Sequence, residues 1–206
     1  MAETGKEMAK WGRAIALCGS SREGGNSETV LRRLLRRLED RGVSGELITF
    51  TWKTIFPCAK CGNCGQMKNG VCSLEDDFDE VLRKIRAADF VLLAGPSVEH
   101  ALVPGFCFFL ERADRVLRHA PFEVSTKIGV VLTGHLSSWS STMKRHHQDL
   151  ILSWAYRQGM ILGGWRDDNQ GDMADGMNQA FHASADFLDR LADRLLEIGT
   201  RLRASF

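Results

Sequence analysis

The stretch Arg13–Arg41 reads RAIALCGSSREGGNSETVLRRLLRRLEDR and indicates a strand, a loop and a helix in that order. Arg13–Cys18 is a short apolar run followed by Gly-Ser-Ser, which is typical of a buried strand that leads into a loop. Ser27–Arg41 carries leucines at helical spacing with arginines on the opposite face, and Gly42 is a suitable stop. A buried strand that leads through a polar loop into an amphipathic helix is one unit of an alternating α/β fold.

The rest of the chain repeats this alternation. Further strands are predicted at Glu46–Phe50, Asp89–Ala94, Lys127–Thr133 and Met160–Gly163. Further helices are predicted from Asp76 to Ala87 and at Gly105–His119, Thr142–Arg157 and Gln179–Leu202, with a polar loop at Gly164–Gly176. Short apolar strands separated by helices require a parallel sheet with helices on both faces. The predicted fold class is therefore α/β, with a disordered tail over residues 1–12 and one domain over residues 13–206.

The composition excludes several classes of partner. A net charge of +1 over 206 residues does not support a basic surface for nucleic acid. No apolar run approaches the roughly 20 residues that span a bilayer, and the N-terminal segment lacks the apolar middle of a signal peptide. We therefore expect a cytoplasmic protein with neither nucleic acid nor membrane as a partner. Six cysteines in such a chain are expected to be reduced thiols available for metal or redox chemistry.

The loop after the first strand is a candidate phosphate site. It runs directly into a helix N-terminus, where unpaired N–H groups and the positive end of the helix dipole suit an anion. Neither the G-x-G-x-x-G fingerprint nor a Walker A loop is present, so a solvated turn with a helix cap is the alternative. Ligands of parallel sheets bind beyond the carboxyl ends of the strands, which favours phosphate. The candidate ligands are Ser20, Ser21, Arg22, Asn26, Ser27 and Glu28, and Asn26 or Ser27 is also able to cap the helix.

The segment Phe56–Asp77 (FPCAKCGNCGQMKNGVCSLEDD) holds four of the six cysteines, spaced C-x2-C-x2-C-x7-C. Four thiolates are what a four-iron, four-sulfur cluster or an all-cysteine zinc site requires. Two C-x2-C steps that share Cys61 favour the cluster, because zinc sites more often use two separate pairs. A loop whose cysteines bind no metal and act as redox thiols is the other alternative. The predicted ligands are Cys58, Cys61, Cys64 and Cys72, whereas Cys18 and Cys107 are predicted to be core residues.

These patterns together carry a resemblance to a known family. The run G-S-S-R-x-x-x-N-S that begins at Gly19 resembles the flavodoxin-like NAD(P)H-dependent FMN reductases. Members of that family carry a small-Pro-x-Tyr segment followed by a helix that ends in Asp-Arg. Pro96 and Arg112 of this chain resemble the Pro and the Arg of that pattern and have the same separation. The cysteine segment is similar to that of the iron-sulfur flavoprotein branch. The resemblance implies a flavodoxin-like three-layer sandwich with a five-stranded parallel sheet of order 2-1-3-4-5, FMN as cofactor, and a 4Fe-4S cluster held by the four cysteines.

The resemblance also implies that the flavin ring lies against the loops after the third and fourth strands. Val98 stands where relatives often carry Tyr, and the loop after the fourth strand lacks their glycines. Trp139 is predicted to stack on the ring or, alternatively, to be a partly buried surface aromatic. His100 is predicted to bond the flavin or to be solvated. The candidates beside the ring are Pro96, Ser97, Val98, Glu99, His100, Gly134, His135 and Trp139.

The resulting hypothesis is an FMN-dependent oxidoreductase or electron-transfer protein with a 4Fe-4S cluster, passing electrons between a soluble carrier and an acceptor. The cluster is expected at the same rim of the sheet as the flavin, and no catalytic side chain is predicted. NAD(P)H or an electron-carrier protein is the expected donor. The resemblance implies a homodimer or homotetramer that pairs flavin and cluster across subunits. A cluster-free NAD(P)H-dependent FMN or quinone reductase and a non-catalytic redox-sensing module are the alternatives.

Overall fold

The computed structural model describes residues 12–96, 102–122, 128–134, 150–158, 160–167 and 176–204. Within these ranges strands alternate with helices, as the apolar pattern predicts. The strands are β1 (Arg13–Cys18), β2 (Ser44–Thr49), β3 (Phe90–Pro96), β4 (Ile128–Gly134) and β5 (Ile161–Asp167). The helices are α1 (Asn26–Glu39), α2 (Asn63–Met67), α3 (Phe78–Arg86), α4 (Pro104–His119), α5 (described over 150–157) and α6 (Gly176–Ala204). A 3-10 turn, Phe50–Trp52, follows β2 directly.

The strands form one sheet in the order β2-β1-β3-β4-β5. Each neighbouring pair is parallel, and the register sets Cys18 beside Thr49 on one side and beside Ala94 on the other. This order has its switch point between β1 and β3, as in flavodoxin-like proteins. The predicted α/β class is confirmed, and the observed order is the one that the resemblance implies.

Alternate residues of the central strands face opposite sides of the sheet. Ile15 and Leu17 pack in a core with α3, α4 and α5, whereas Ala16 and Cys18 pack in a second core with α1 and α6. Helices therefore cover both faces, which makes a three-layer sandwich. Cys18 is buried, so it is a core residue as predicted, and half-buried Cys107 packs against the edge of the other core. Burial raises the pKa of both thiols.

The ends of β2, β3 and β4 lie within two residues of the predicted ends, and β5 differs more. β2 ends at Thr49 because Phe50 enters the 3-10 turn and buries its ring in the core beside α4. β5 extends to Asp167, so the predicted loop is wrong for residues 164–167. The reason is hydrogen bonding with β4, which pairs its second half with these residues after a register shift. A Gly-rich composition does not prevent a strand where a neighbouring strand supplies backbone partners.

Parts of several predicted segments lie outside the described residues. These are residues 1–11 of the predicted tail, 142–149 of the helix that contains α5, and 168–175 of the predicted loop. Among the helices within the described ranges, none is both long enough and apolar enough to cross a membrane.

The N-terminal end of α4 packs against the loop that follows β1. The N–H of Val103, just before the helix, donates to the Gly19 carbonyl (3.0 Å), and the Gly19 N–H donates to the Ala94 carbonyl (2.8 Å). A Cβ atom on Gly19 would lie 2.4 Å from the Phe106 ring. α4 therefore begins at the carboxyl rim, by which we mean the sheet edge where the strands end.

This contact predicts that Gly19→Ala is destabilising. Phe106 is fully buried and packs edge-on against Phe50 at 4.9 Å, so its ring has no free space to enter. We expect the free energy of unfolding in urea to fall by about 1–3 kcal/mol, as for other overpacked cores. Gly105→Ala is the control, because its added Cβ would meet no atom within 3.6 Å and Ala is the better helix former. Equal stability of Gly19→Ala and the wild type would contradict the close approach.

Candidate functional site

The carboxyl rim brings the ends of four strands together. Pro96 pairs with Gly134 in the register of β3 and β4, so these two predicted ring-binding residues occupy adjacent strand ends. Cys18 and Thr49 end β1 and β2 on the other side of β3. The remaining ring-binding candidates, Ser97, Val98, Glu99, His100, His135 and Trp139, lie outside the described residues.

The loop after β1 is anchored to the protein at Ser20. Its hydroxyl accepts the Arg22 N–H (3.2 Å), and its carbonyl accepts a hydrogen bond from the Thr51 hydroxyl (3.0 Å). Ser20 is largely buried, whereas Ser21 and Arg22 are exposed. The loop therefore presents a hydroxyl and a guanidinium to solvent at the N-terminus of α1, which is the arrangement that an anion would use.

Glu28 shapes this loop from within α1. Its carboxylate accepts the Gly24 N–H (2.9 Å) and a hydrogen bond from Arg32 Nε (2.8 Å). Burial alone would raise the pKa of Glu28, but these two partners outweigh it and lower the pKa. Asn26 is the first residue of α1, and Gly25 holds the cap position without a side-chain bond. Asn26 and Ser27, the two candidate caps, therefore do not cap the helix.

The four predicted cysteine ligands line one pocket beside α4. The pocket has a volume of about 170 Å³, roughly ten times the space that one water molecule requires. A second part of its lining, the cationic wall, comes from the C-terminal half of α4. It contains Arg112, Arg115 and Arg118, next to His119.

The backbone of the cysteine segment turns repeatedly around this pocket. Gly62, before α2, has φ +79°, and Lys60 and Lys68 also adopt positive φ values of 53° and 49°. Cys61 is exposed, and a hydrogen bond with the Ser73 hydroxyl (3.3 Å) lowers the pKa of its thiol. These turns are what allow a short segment to direct several thiols toward one space.

The thiols share the pocket without meeting at one point. Among the described residues, no group of three or more His, Cys, Asp or Glu side chains is arranged to hold a metal ion. A tetrahedral zinc ion with Zn–S bonds of about 2.3 Å would hold its sulfurs about 3.8 Å apart. The pocket volume of about 170 Å³ leaves room for a multi-atom inorganic group.

A buried ion pair closes the base of the cysteine segment. Arg112 Nη1 bonds the Asp76 carboxylate, and both side chains are almost fully buried. Asp76 also accepts the N–H groups of Phe56 (2.8 Å) and Phe78 (3.0 Å). Burial alone would raise the pKa of Asp76, but Arg112 and these two donors outweigh it and lower the pKa. The pair thus joins the two ends of the segment and fixes them to α4.

Neither member of this pair is predicted as a site residue from the sequence. In the sequence, Asp76 indicates only an acid near the start of a helix, and Arg112 appears only in the family resemblance. One sequence feature could have identified Arg112 as a buried charge. Arg112 lies three residues after Phe109 and four before Val116, on a helix face that is otherwise apolar and buried. A charge at such a position requires a buried partner.

The cysteine pocket lies on the flank of the sandwich and not at the carboxyl rim. α4 begins at the rim with Pro104, and its pocket-lining residues start at Arg112 and end at His119. At 1.5 Å per residue these positions are about 12–22 Å from the rim along the helix. The expectation that the thiols share the flavin's rim is therefore wrong. The cysteine segment is long enough to extend from the rim along α3. At Gly70 it lies so close to that helix that an added Cβ would be 2.9 Å from Arg86 Nη2.

An ion-pair network links the turn after β2 to α3. Lys53 Nζ lies 2.8 Å from a Glu80 oxygen and 3.4 Å from an Asp77 oxygen. Lys84 Nζ lies 2.7 Å from Glu80 and 2.6 Å from Glu46. The network stabilises α3, which carries Asp79, the residue that binds the Cys72 N–H.

The parallel sheet, the polar loop at its rim and the four-cysteine pocket define a flavodoxin-like α/β protein with a candidate inorganic centre. The family of NADPH-dependent FMN reductases matches residues 13–166 of this chain. The chain belongs to that family, which supports an FMN oxidoreductase.

Two relatives identify the branch. The chain is 29% identical to the iron-sulfur flavoprotein of Methanosarcina thermophila over 148 residues, which are 72% of this chain and 75% of that protein. It is 30% identical to an iron-sulfur flavoprotein of Methanocaldococcus jannaschii over 117 residues, 57% of this chain and 58% of that protein. These similarities support the iron-sulfur flavoprotein branch.

A solved structure gives the same fold. The structure of RosB matches with a TM-score of 0.66 and 14% identity, covering 93% of this chain and 80% of that chain. At this identity the likeness shows the fold alone.

Glu80→Gln tests the network through its pH dependence. Hydrogen bonds from Lys53 and Lys84 lower the pKa of Glu80 from 4.5 to about 2. A carboxyl group with a lowered pKa stabilises the folded state above its unfolded pKa and loses that contribution as the pH falls through the folded value. Because the side chain is 37% exposed, screening should limit the effect to below about 1 kcal/mol.

We expect Glu80→Gln to be less stable than the wild type in urea at neutral pH and to match it near pH 2. Glu75→Gln is the control, because Glu75 is exposed and has no ion pair within the described residues. A stability difference for Glu80→Gln that stays constant across this pH range would contradict the network.

Proposed function

We propose that this chain is an FMN-dependent oxidoreductase that holds a four-iron, four-sulfur cluster in the cysteine pocket and passes electrons between a soluble carrier and an acceptor. The observation that carries the proposal is the pocket itself, in which four thiols face a cationic wall. A cluster with four thiolate ligands is anionic, so the buried Arg112 of that wall would compensate its charge. Two relatives that bear the name iron-sulfur flavoprotein support the same assignment.

FMN, when bound, exchanges electron pairs with a hydride donor and single electrons with a metal centre. The exposed Ser21 and Arg22 at the N-terminus of α1 would bind its phosphate, with Ser20 supporting the loop. The strand ends at Pro96 and Gly134 would lie beside its ring. Glu28 would hold the loop in shape and would not contact FMN, because its carboxylate already accepts hydrogen bonds from Gly24 and Arg32. The proposed electron donor is NAD(P)H or an electron-carrier protein.

The distance between the rim and the cysteine pocket along α4 affects whether electron transfer takes place within one copy of the chain or between two copies. The rim and the cysteine pocket lie at opposite ends of this helix, which favours transfer between the flavin of one copy and the cluster of another. Exposed large hydrophobic residues lie in or next to the cysteine segment and support a self-association surface there. They are Trp52, Phe56, Met67 and Val71. We therefore propose a homodimer or homotetramer.

Anaerobic iron, sulfide and flavin analysis tests the cofactor assignment. We expect about four iron and four sulfide per chain, together with FMN, and loss of the iron and sulfide in Cys64→Ser. Cys107→Ser is the control, because Cys107 packs at the core edge and does not line the pocket. Yellow protein with FMN but no iron after anaerobic reconstitution would contradict the cluster and favour the cluster-free reductase. Colourless protein that binds neither group would favour the redox-sensing module.

Arg22→Gln tests the phosphate loop. Loss of one charge-assisted contact should raise the Kd for FMN by about tenfold or more. Affinity for riboflavin, which has no phosphate, should stay unchanged. Titration of flavin fluorescence measures both values, and Arg36→Gln, which removes the same charge from the exposed face of α1, is the control. Equal losses for FMN and riboflavin would contradict phosphate binding by this loop.

A further inference from the structure

We propose that Arg112 is a positioning residue for the iron-sulfur centre: it joins the two ends of the cysteine segment and offers unpaired N–H groups to the sulfur side of the pocket near Cys72. This inference rests on the proposed function, since it assigns a role toward the cluster. Three features of the structure carry it. They are the hydrogen bonds of Nη1, the burial of the remaining guanidinium donors, and the contrast with the neighbouring arginines.

The first feature is the closure of the segment by one nitrogen atom. Arg112 Nη1 donates to the Phe56 carbonyl (3.2 Å) and to the Asp76 carboxylate, whose other bonds are to the N–H groups of Phe56 and Phe78. The two ends of the segment are thereby held together without any metal. Closing a loop of this length costs conformational entropy, so a loop closed in advance leaves less of that cost to cluster binding.

The second feature is a pair of buried donors that lack acceptors. Nε and Nη2 of Arg112 are fully buried and have no hydrogen-bond partner within the described residues. The Phe78 ring, whose centroid is 4.2 Å from Cζ, covers one face of the guanidinium. Buried charged donors without acceptors are costly and call for an explanation. A sulfur ligand or sulfide on the pocket side would supply the missing acceptor.

Cys72 is the candidate acceptor, because it lines the same pocket as Arg112. The geometry does not complete a hydrogen bond to Nε or Nη2. The Cys72 N–H is separately held by the Asp79 carboxylate (3.1 Å). Asp79 thus holds the backbone of Cys72 on the wall of the pocket that Arg112 also lines.

The third feature is that the other arginines of the wall differ from Arg112. Arg115 is 42% exposed and lies 3.6 Å from Glu111, and Arg118 is 68% exposed and pairs with Asp114. Their charges are largely exposed and are partnered along α4. Arg115→Gln is therefore a matched control, because it removes one positive charge from the same pocket without breaking the closure at Asp76.

The test compares wild type, Arg112→Lys, Arg112→Gln and Arg115→Gln after anaerobic reconstitution with iron and sulfide. The readouts are iron per chain, the rate of cluster loss to an iron chelator, the midpoint potential from an EPR-monitored titration, and the melting temperature of each apoprotein. We expect Arg112→Lys to lose its cluster about tenfold faster or more, the effect typical of a supporting residue near a metal ligand. Its midpoint potential should become more negative, because hydrogen bonds to cluster sulfurs stabilise the reduced state. Arg115→Gln should stay within about twofold of the wild type in chelator rate, since its charge is exposed.

Three outcomes separate the possibilities. Chelator rates and potentials of Arg112→Lys equal to those of Arg115→Gln would overturn the inference. A lower melting temperature of the Arg112 apoproteins with an unchanged potential would show a merely structural role and would also overturn it. Wild-type protein that takes up no iron would defeat the proposed function instead, which is a distinguishable failure.

A measurement on the wild type keeps the inference testable if the Arg112 variants do not fold. Protein labelled with ¹⁵N-arginine should show one Nε–H signal that shifts strongly on cluster loading and exchanges slowly with solvent. The same signal should persist in Arg115→Gln. Absence of any shifted arginine Nε–H signal in cluster-loaded protein would overturn the inference.

Discussion

The cysteine segment depends on one buried ion pair. Taking Arg112 and Asp76 out of water is costly, and such a pair is tolerated only when its remaining bonding capacity is satisfied. Asp76 meets this condition with two backbone N–H groups from the ends of the segment. Arg112 meets it only in part, because two of its nitrogens face no acceptor among the described residues. The same interaction that closes the segment therefore leaves a positive, hydrogen-bonding surface beside four thiols.

α4 relates this pocket to the rest of the protein. Its first turn packs on the loop after β1, where Gly19 and Phe106 are in close contact. Its last two turns supply the cationic wall of the pocket. One helix thus connects the proposed phosphate loop with the proposed cluster site and keeps them apart. Under the proposed function, a flavin at the rim and a cluster on the flank would exchange electrons with other molecules, including a second copy of the chain.

Much of the fold could be predicted because it depends on local pattern. Apolar runs of strand length and leucines at helical spacing specify the alternation, and that alternation requires a parallel sheet. The errors occur where a distant partner decides. β5 extends through a Gly-rich stretch because β4 provides hydrogen-bond partners. The cap of α1 is a local exception: Gly25 takes that position, and Glu28 binds the nearby loop N–H of Gly24.

The sequence by itself determined which thiols share a pocket, because Cys58, Cys61, Cys64 and Cys72 are close along one chain and cannot separate far. It also determined the polar loop before α1, which depends on neighbouring residues alone. Only the tertiary structure decided what the thiols face and where they lie. Arg112 and Asp76 are 36 residues apart, and their pairing follows from how α3 and α4 pack on the sheet. Such long-range packing moves the pocket from the rim to the flank and gives it a charged wall.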